Sequence, residues 1–298
     1  MTGVALALVL SAAVVHAGWN LAAKRVPGGG AVFVCLYYTV SAVVCLPLAI
    51  IVLLRTPGPP QWTWLFASAV TAVLHVVYGV LLQRGYAVGD LSVVYPLARG
   101  TGPLLAVLAA VTLLGERPGW IGLLGALLVV VGVLVIGGVG RPDKRKDPGV
   151  PGATEGRRRC AGIGYGVLTG AVIAAYTLWD AHAVTTLAAP PVVYFGVAAL
   201  LQSALLAPIA IRDVSGTATL WRAHRKEVLL VGVLSPVAYL LVLFALRIAP
   251  VSLVAPAREL SIVLGGLAAW RVLGEADPLR RIAGSGIVLA GITAIALA

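Results

Sequence analysis

Charge is scarce in this chain. Only 11% of its 298 residues are Asp, Glu, Lys or Arg, and just 11 of them are acidic. That excludes a soluble domain with a single core, because there is too little polar surface to cover one. Cysteine is equally sparse. Cys35, Cys45 and Cys160 show no metal-ligand spacing, and ten residues of helix set Cys35 and Cys45 roughly 15 Å apart, too far for a disulfide. They read as small buried apolar groups. Catalytic signatures are missing as well. There is no H-E-x-x-H, no G-x-S-x-G and no P-loop, and the GSG at Gly284 to Gly286 has no base beside it. No catalytic residue, metal site or cofactor is expected.

What the chain does have is hydrophobic length. Sixty percent of it is hydrophobic and its mean hydropathy is +1.01, so most of it belongs in lipid. The net charge of +11 resides in short loops between apolar runs, which makes it topology information; no basic face exists for a nucleic acid partner. Spans of about 20 apolar residues, the length that crosses the hydrocarbon core, number ten. They run Gly3 to Ala23, Ala31 to Leu54, Trp62 to Gln83, Leu91 to Leu114, Gly119 to Gly138, Cys160 to Ala183, Pro191 to Ile211, Val228 to Leu246, Val251 to Leu273 and Leu279 to Leu297. The first run has no basic flank and no clear cleavage site, so it reads as a retained helix and not as a signal peptide.

The chain repeats itself. Ser92, Val94, Pro96 and Leu104 recur in register as Ser252, Val254, Pro256 and Leu264. After a one-residue slip, Gly115, Glu116, Gly125 and Gly132 recur as Gly274, Glu275, Gly284 and Gly291. The segment from Leu10 likewise matches the one from Leu168, with Ser11 over Thr169 and Val14 over Val172. The expected organisation is a first five-helix repeat over 1–140, a basic linker over 141–159 with seven Lys or Arg, and a second five-helix repeat over 160–298. Five spans per copy make the repeats inverted, the ground plan of many secondary transporters. If the chain alternates sides, one face collects seventeen Lys and Arg against three on the other. The positive-inside rule then puts both termini outside.

Polar groups inside the spans are the candidate site. Arg99 in the fourth span, and Arg258 with Glu259 in the ninth, lie about eight residues in, or about 12 Å deep. A charge there costs about 2.5 to 3.5 kcal/mol on insertion scales, so it should face the bundle interior or water. The bland reading is that these charges merely neutralise one another; the functional one is that they meet a substrate or a coupling ion. Pro96 and Pro256 precede them and can break the helix, and broken backbone at this depth lines cavities. Further candidates are His16 and Asn20 on the first span, His75 and Tyr78 on the third, Tyr95 on the fourth, and Tyr176 and Asp180 on the sixth. Trp19 and Trp179, near span ends, read as interfacial anchors. The glycines at 162, 166 and 170, and the seven-apart pairs at 125 and 132 and at 284 and 291, read as helix-packing faces, with a homodimer face as the alternative. Glu116 and Glu275 follow a helix-ending glycine and suit the first turn of the next helix.

Taken together, the early GWNLAAK, the block GYAVGDLSVVYPLARGTGPLLAVLAAVTLLGERPGWIGLLGALLVVVGVLVI from Gly85, and its degenerate copy from Arg247 onward resemble the EamA family of the drug/metabolite transporter superfamily. The resemblance covers nearly the whole chain outside the basic linker. It implies an all-α polytopic fold of ten transmembrane helices in two inverted five-helix repeats, multi-pass in the cell (inner or plasma) membrane. It also implies transport of amino acids, metabolites, drugs or nucleotide-type compounds through a central cavity. Members of this family are drawn with both termini in the cytoplasm, opposite to the charge count. The expected partners are a small-molecule substrate and the lipid bilayer. The expected activity is alternating-access transport of a small polar organic solute, amino acid-like or anionic, with a proton-driven exporter and a facilitator both compatible. Arg99 and Arg258 would attract a carboxylate or phosphate-like group, Glu259 would bind an amine or a proton, and the tyrosines would line the wall. The competing activity is that of a membrane-embedded enzyme or flippase acting on a lipid-linked substrate.

Overall fold

The computed structural model describes residues 1–23, 25–26, 30–89, 91–137, 152–265 and 278–298. They form ten helices: α1 (Gly3–Ala23), α2 (Gly30–Arg55), α3 (Trp62–Val88), α4 (Leu91–Leu113), α5 (Gly119–Gly137), α6 (Gly152–Thr185), α7 (Pro191–Arg212), α8 (Val214–Leu246), α9 (Val251–Ala257) and α10 (Pro278–Leu297). No strand occurs among the described residues. The prolines fall where the chemistry asks for them. Pro190 is extended (ψ 124°) and places Pro191 at the start of α7, where a missing N–H costs nothing. Pro250, likewise extended (ψ 145°), precedes the first residue of α9, Val251. Eight helices, α1 to α8, are long and apolar enough to cross a membrane, and Ile282–Leu297 within α10 is a shorter apolar helix.

Three boundaries differ from those expected. α6 begins at Gly152, so the last part of the expected linker is helix; the remainder of the linker, with Lys24 and Glu275, lies outside the described residues. α8 begins at Val214, well before the expected Val228, and is two helices joined at His224, whose φ of −127° and ψ of 24° are non-helical. Asp213 makes the early start possible. Its carboxylate accepts from the Gly216 N–H at 2.8 Å and from the Ser215 hydroxyl at 2.9 Å, capping the new helix. These bonds hold the fully exposed carboxyl below the usual carboxylate range, chiefly through Gly216. The third difference is in the ninth expected span. α9 stops at Ala257, Arg258 and Glu259 form a turn, and residues 260–265 are helical again.

The chain divides into two compact units, each assembled from both sequence halves. The first comprises Met1–Gly3, Val77–Leu178 and Pro250–Ala298. Its strongest packing joins α5 to α10 through glycine. A Cβ on Gly125 would lie 2.7 Å from the Gly291 carbonyl oxygen, and one on Gly291 would lie 2.7 Å from that of Gly125. Gly132 and Gly284 repeat the arrangement at 2.8 and 2.9 Å. Only glycine allows backbones this close, so these faces are filled within the chain. α6 uses Gly166 and Gly170 in the same way against Leu97 and Thr101 of α4. Glu116 reaches beyond its own corner: its two carboxylate oxygens accept from the backbone N–H groups of Val251 and Ser252, each at 2.9 Å. The carboxylate sits at a helix N-terminus as expected, but the helix is α9, not the adjacent α5.

The second unit comprises Val4–Val76 and Trp179–Ala249. α2 packs on α7 and α8. Ser41 donates to the Gly232 carbonyl at 2.9 Å, and the Thr39 and Ser203 hydroxyls are 2.6 Å apart. Trp19 packs against an apolar cluster of Ala22, Val26, Phe33, Val228 and Val231. Trp179 donates its indole N–H to the Ala67 carbonyl at 2.9 Å. The two indoles expected as interfacial anchors are therefore packing elements, and a polar N–H with a backbone acceptor explains why Trp179 is placed inside the protein. Cys35 and Cys45 are buried as expected, whereas Cys160 is exposed.

Candidate functional site

In the first unit, the buried charge expected in the fourth and ninth spans comes together. α4 runs without interruption through Pro96 and carries Arg99, 7% exposed. The chain after α9 is tightened into a turn. The Glu259 N–H bonds to the Pro256 carbonyl at 3.0 Å, and the Ser261 and Ile262 N–H groups bond three residues back to Arg258 and Glu259. Hydrogen bonds to i−3 replace those to i−4 just after the proline, as expected where a proline interrupts the ladder. The turn delivers Glu259, 1% exposed, to Arg99: Nη2 and Oε2 are 3.0 Å apart. Arg99 Nη2 also donates to the Ser261 hydroxyl at 3.3 Å.

This pair is close but poorly aligned. Arg99 Nε and Glu259 Oε2 are buried without a hydrogen-bond partner among the described residues; for Oε2, the 3.0 Å contact with Nη2 lacks the angle a hydrogen bond requires. Each such group costs about 1 to 3 kcal/mol, so the pair retains donor and acceptor capacity that a ligand could satisfy. Next to Glu259, Arg258 donates to the Tyr176 hydroxyl at 3.4 Å, with its guanidinium 5.9 Å from the centre of that ring. Tyr176 in turn meets the edge of Tyr78, with centroids 6.0 Å apart, and Tyr95 on α4 is 38% exposed. Six of the ten candidates, Arg99, Arg258, Glu259, Tyr176, Tyr78 and Tyr95, thus belong to this unit. Among the described residues, this cluster holds two arginines and one glutamate.

The other four lie in the second unit. Asp180 on α6 is 2% exposed. Its Oδ1 accepts from Thr71 Oγ1 at 2.7 Å and from the Tyr194 hydroxyl at 2.5 Å. Its Oδ2 accepts a short hydrogen bond from the Tyr239 hydroxyl. His75 Nδ1 lies 2.8 Å from the Thr71 carbonyl oxygen and 3.2 Å from its hydroxyl, and the His75 ring meets the edge of Tyr239 at 5.4 Å. His16 and Asn20 stand apart from this cluster. His16 meets Trp19 edge-on at 4.7 Å, and Asn20 makes no side-chain hydrogen bond among the described residues. Thr71, Tyr194, Tyr239 and Ser261 escape sequence reading. Hydroxyls on apolar runs are ordinary; what distinguishes Thr71, Tyr194 and Tyr239 is that they share Asp180, and what distinguishes Ser261 is its bond to Arg99.

The comparisons with known proteins agree with this architecture. The sequence profile of the EamA-like transporter family matches residues 3–138 and again 161–297. The chain belongs to the EamA-like transporter family. The two matches fall on the two copies read from the repeat, and this EamA-like protein is accordingly a multi-pass membrane transporter of the drug/metabolite superfamily. A solved structure titled only "Crystal structure of protein" superposes with a TM-score of 0.76 over 100% of this chain and 98% of its own. At 16% identity it shows the fold alone. No curated protein matches the chain.

Proposed function

We propose that this EamA-like protein is a secondary transporter that moves a small polar organic solute bearing a carboxylate or similar anionic group. It would act by alternating access, with ten crossings arranged as two inverted repeats. The observation that carries the reading is the interrupted ninth span. A helix that stops at Ala257 and turns through Arg258 and Glu259 puts irregular backbone and charge inside a span, and such discontinuity is tolerated only where it is buried in protein or lines a solute pathway. The arginines select the class of solute: Arg258 contacts the Tyr176 hydroxyl and ring and carries a planar donor fork suited to a carboxylate. Glu259 complements Arg99 and is placed to accept from an amine on the same solute. Tyr176, Tyr78 and Tyr95 supply the apolar wall with polar tips.

The test is uptake into proteoliposomes from a panel of amino acids and small organic anions. Arg258→Gln should abolish uptake of a carboxylate solute, and Arg99→Ala and Glu259→Gln should do the same, with folded protein retained in each case. Full transport by all three variants would remove these residues from the site.

A further inference from the structure

The second unit contains a buried acid without a buried base. Asp180 is 2% exposed, and among the described residues no lysine or arginine pairs with it. The groups facing it can be named by element. α3 contributes Thr71 and, behind it, His75; α7 contributes Tyr194; α8 contributes Tyr239. Its own helix carries two further titratable side chains close in sequence, Tyr176 and His182, the latter with its ring 5.8 Å from that of Trp179. The acceptor of His75 Nδ1 is a backbone carbonyl, which cannot donate, so Nδ1 carries the proton. The Thr71 hydroxyl is then free to donate to Asp180 while standing within reach of that same N–H.

Every hydroxyl in this cluster donates and the carboxylate only accepts. That arrangement suits the anion alone. A proton placed on Asp180 turns one of its accepting oxygens into a donor, and a donor cannot face a hydroxyl that is itself donating. One of the three bonds must then break or reverse. Oδ1 holds Thr71 and Tyr194, while Oδ2 accepts from Tyr239, so a proton on Oδ2 forces the Tyr239 hydroxyl on α8 to turn or leave and does not touch the bonds to α3 and α7. A cross-link serving structure alone would not need a charge, since burying one without a counter-ion is costly. A carboxylate is needed where a cation must come and go. The surrounding hydroxyls already lie at hydrogen-bond distance from the carboxylate, which suits a proton rather than a metal ion needing a shell of several oxygen ligands.

We propose that Asp180 is a proton-binding site of this transporter, and that its protonation loosens α8 by displacing the Tyr239 hydroxyl. As a coupling site it rests on the transport reading above; as a proton site it does not. Infrared difference spectra of the purified full chain in detergent, recorded between neutral and acidic pH, read the protonation directly. Beside the absorption of the other acids, one carboxylic C=O band should grow on acidification, persist in Glu259→Gln and vanish in Asp180→Asn. Amide hydrogen exchange, corrected for its intrinsic pH dependence, reads the consequence. Residues 225–246 should exchange faster at acid pH in the wild type, and in Asp180→Asn they should exchange at the faster rate at every pH. Tyr239→Phe, which keeps the carboxylate, should loosen α8 at neutral pH without affecting α7; it carries the test if Asp180→Asn does not fold. A band that survives Asp180→Asn, or α8 exchange unchanged in Tyr239→Phe, overturns the proposal. In proteoliposomes, an imposed pH gradient should accelerate wild-type flux but not Asp180→Asn flux. If no solute moves at all while the band and the exchange still follow Asp180, the transport reading fails and the proton site stands.

Discussion

Replacing Arg99 by methionine should destabilise the protein more than any comparable change in the first unit, and replacing Glu259 as well should restore much of what was lost. Both side chains are almost completely buried, at 7% and 1% exposure, with their charges 3.0 Å apart. At an effective dielectric constant of about 20, that separation corresponds to an attraction of about 5 kcal/mol. Desolvation cancels much of it, so the pair contributes little net stability. The single variants differ because each strands one charge. Arg99→Met leaves Glu259 with its carboxylate in an apolar enclosure, and Glu259→Leu leaves the Arg99 guanidinium. Each should cost about 3 to 5 kcal/mol, whereas the double variant should fall near the wild type or above it. Reversible unfolding in mixed micelles measures all four corners of the cycle. The expected coupling exceeds about 3 kcal/mol, far beyond the 0.3 to 0.5 kcal/mol scatter of independent sites. Arg258 adjoins Glu259 in the chain and could turn to it when Arg99 is gone, so Arg258→Gln in the same background should deepen the loss. Additive single-variant effects would refute the claim that these groups form a buried pair.

Four further outcomes follow from the packing and the caps. Gly125→Ala places a methyl group 2.7 Å from the Gly291 carbonyl and 2.9 Å from the Ile295 nitrogen; a strain of about 1 to 3 kcal/mol should outweigh a helix-propensity gain of up to about 1 kcal/mol. Gly286→Ala on α10, with nothing within 4 Å of the added carbon, should be neutral or stabilising in the same unfolding assay. Glu116→Ala removes both acceptors of the Val251 and Ser252 N–H groups, so exchange at those two amides should rise, with a loss of about 0.5 to 2 kcal/mol typical of a helix cap. Asp213→Ala should accelerate exchange at Ser215 and Gly216. Because the folded carboxyl titrates below its unfolded value, the cap is fully present above about pH 4 and is lost as pH falls through the lowered value, where wild type and variant should coincide.

Much of the fold could be read from the sequence because lipid enforces it: an apolar run of spanning length has few alternatives to a helix, and a duplicated run names its own copy. The boundaries that moved did so for local reasons invisible to hydropathy. Asp213 caps a polar segment, Val214 to Ala223, that hydropathy assigns to a loop, and the turn at Arg258 and Glu259 depends on hydrogen bonds slipping from i−4 to i−3. Within the site the charged residues were legible, since each is anomalous in lipid. Their partners were not. Tyr194, Tyr239 and Thr71 are unremarkable one by one, and only folding gathers their three hydroxyls on Asp180. Glu116 shows the same limit: its affinity for a helix N-terminus was readable, but the identity of that helix was not.

The contacts within the first unit also explain why the two copies diverged where they did. In the repeat alignment Gly125 corresponds to Gly284 and Gly132 to Gly291, and in space Gly125 meets Gly291 while Gly132 meets Gly284. Exchanging the copies turns one contact into the other, the reciprocity of a two-fold interface. Arg99 corresponds to Glu259 in the same alignment, and these two residues meet each other. A residue that touches its own copy must stand beside the two-fold axis. Glycine can remain identical on both sides of such an axis, because two small residues pack without conflict. A buried charge cannot, because two arginines or two glutamates at about 3 Å would repel in a medium that screens little. A duplication that places a charge at its axis is therefore stable only after one copy changes sign, and the change leaves the centre of the unit chemically lopsided. A solute with a carboxylate at one end and an amine at the other can be bound in a single orientation at such a centre, which a symmetric pair of copies could not impose.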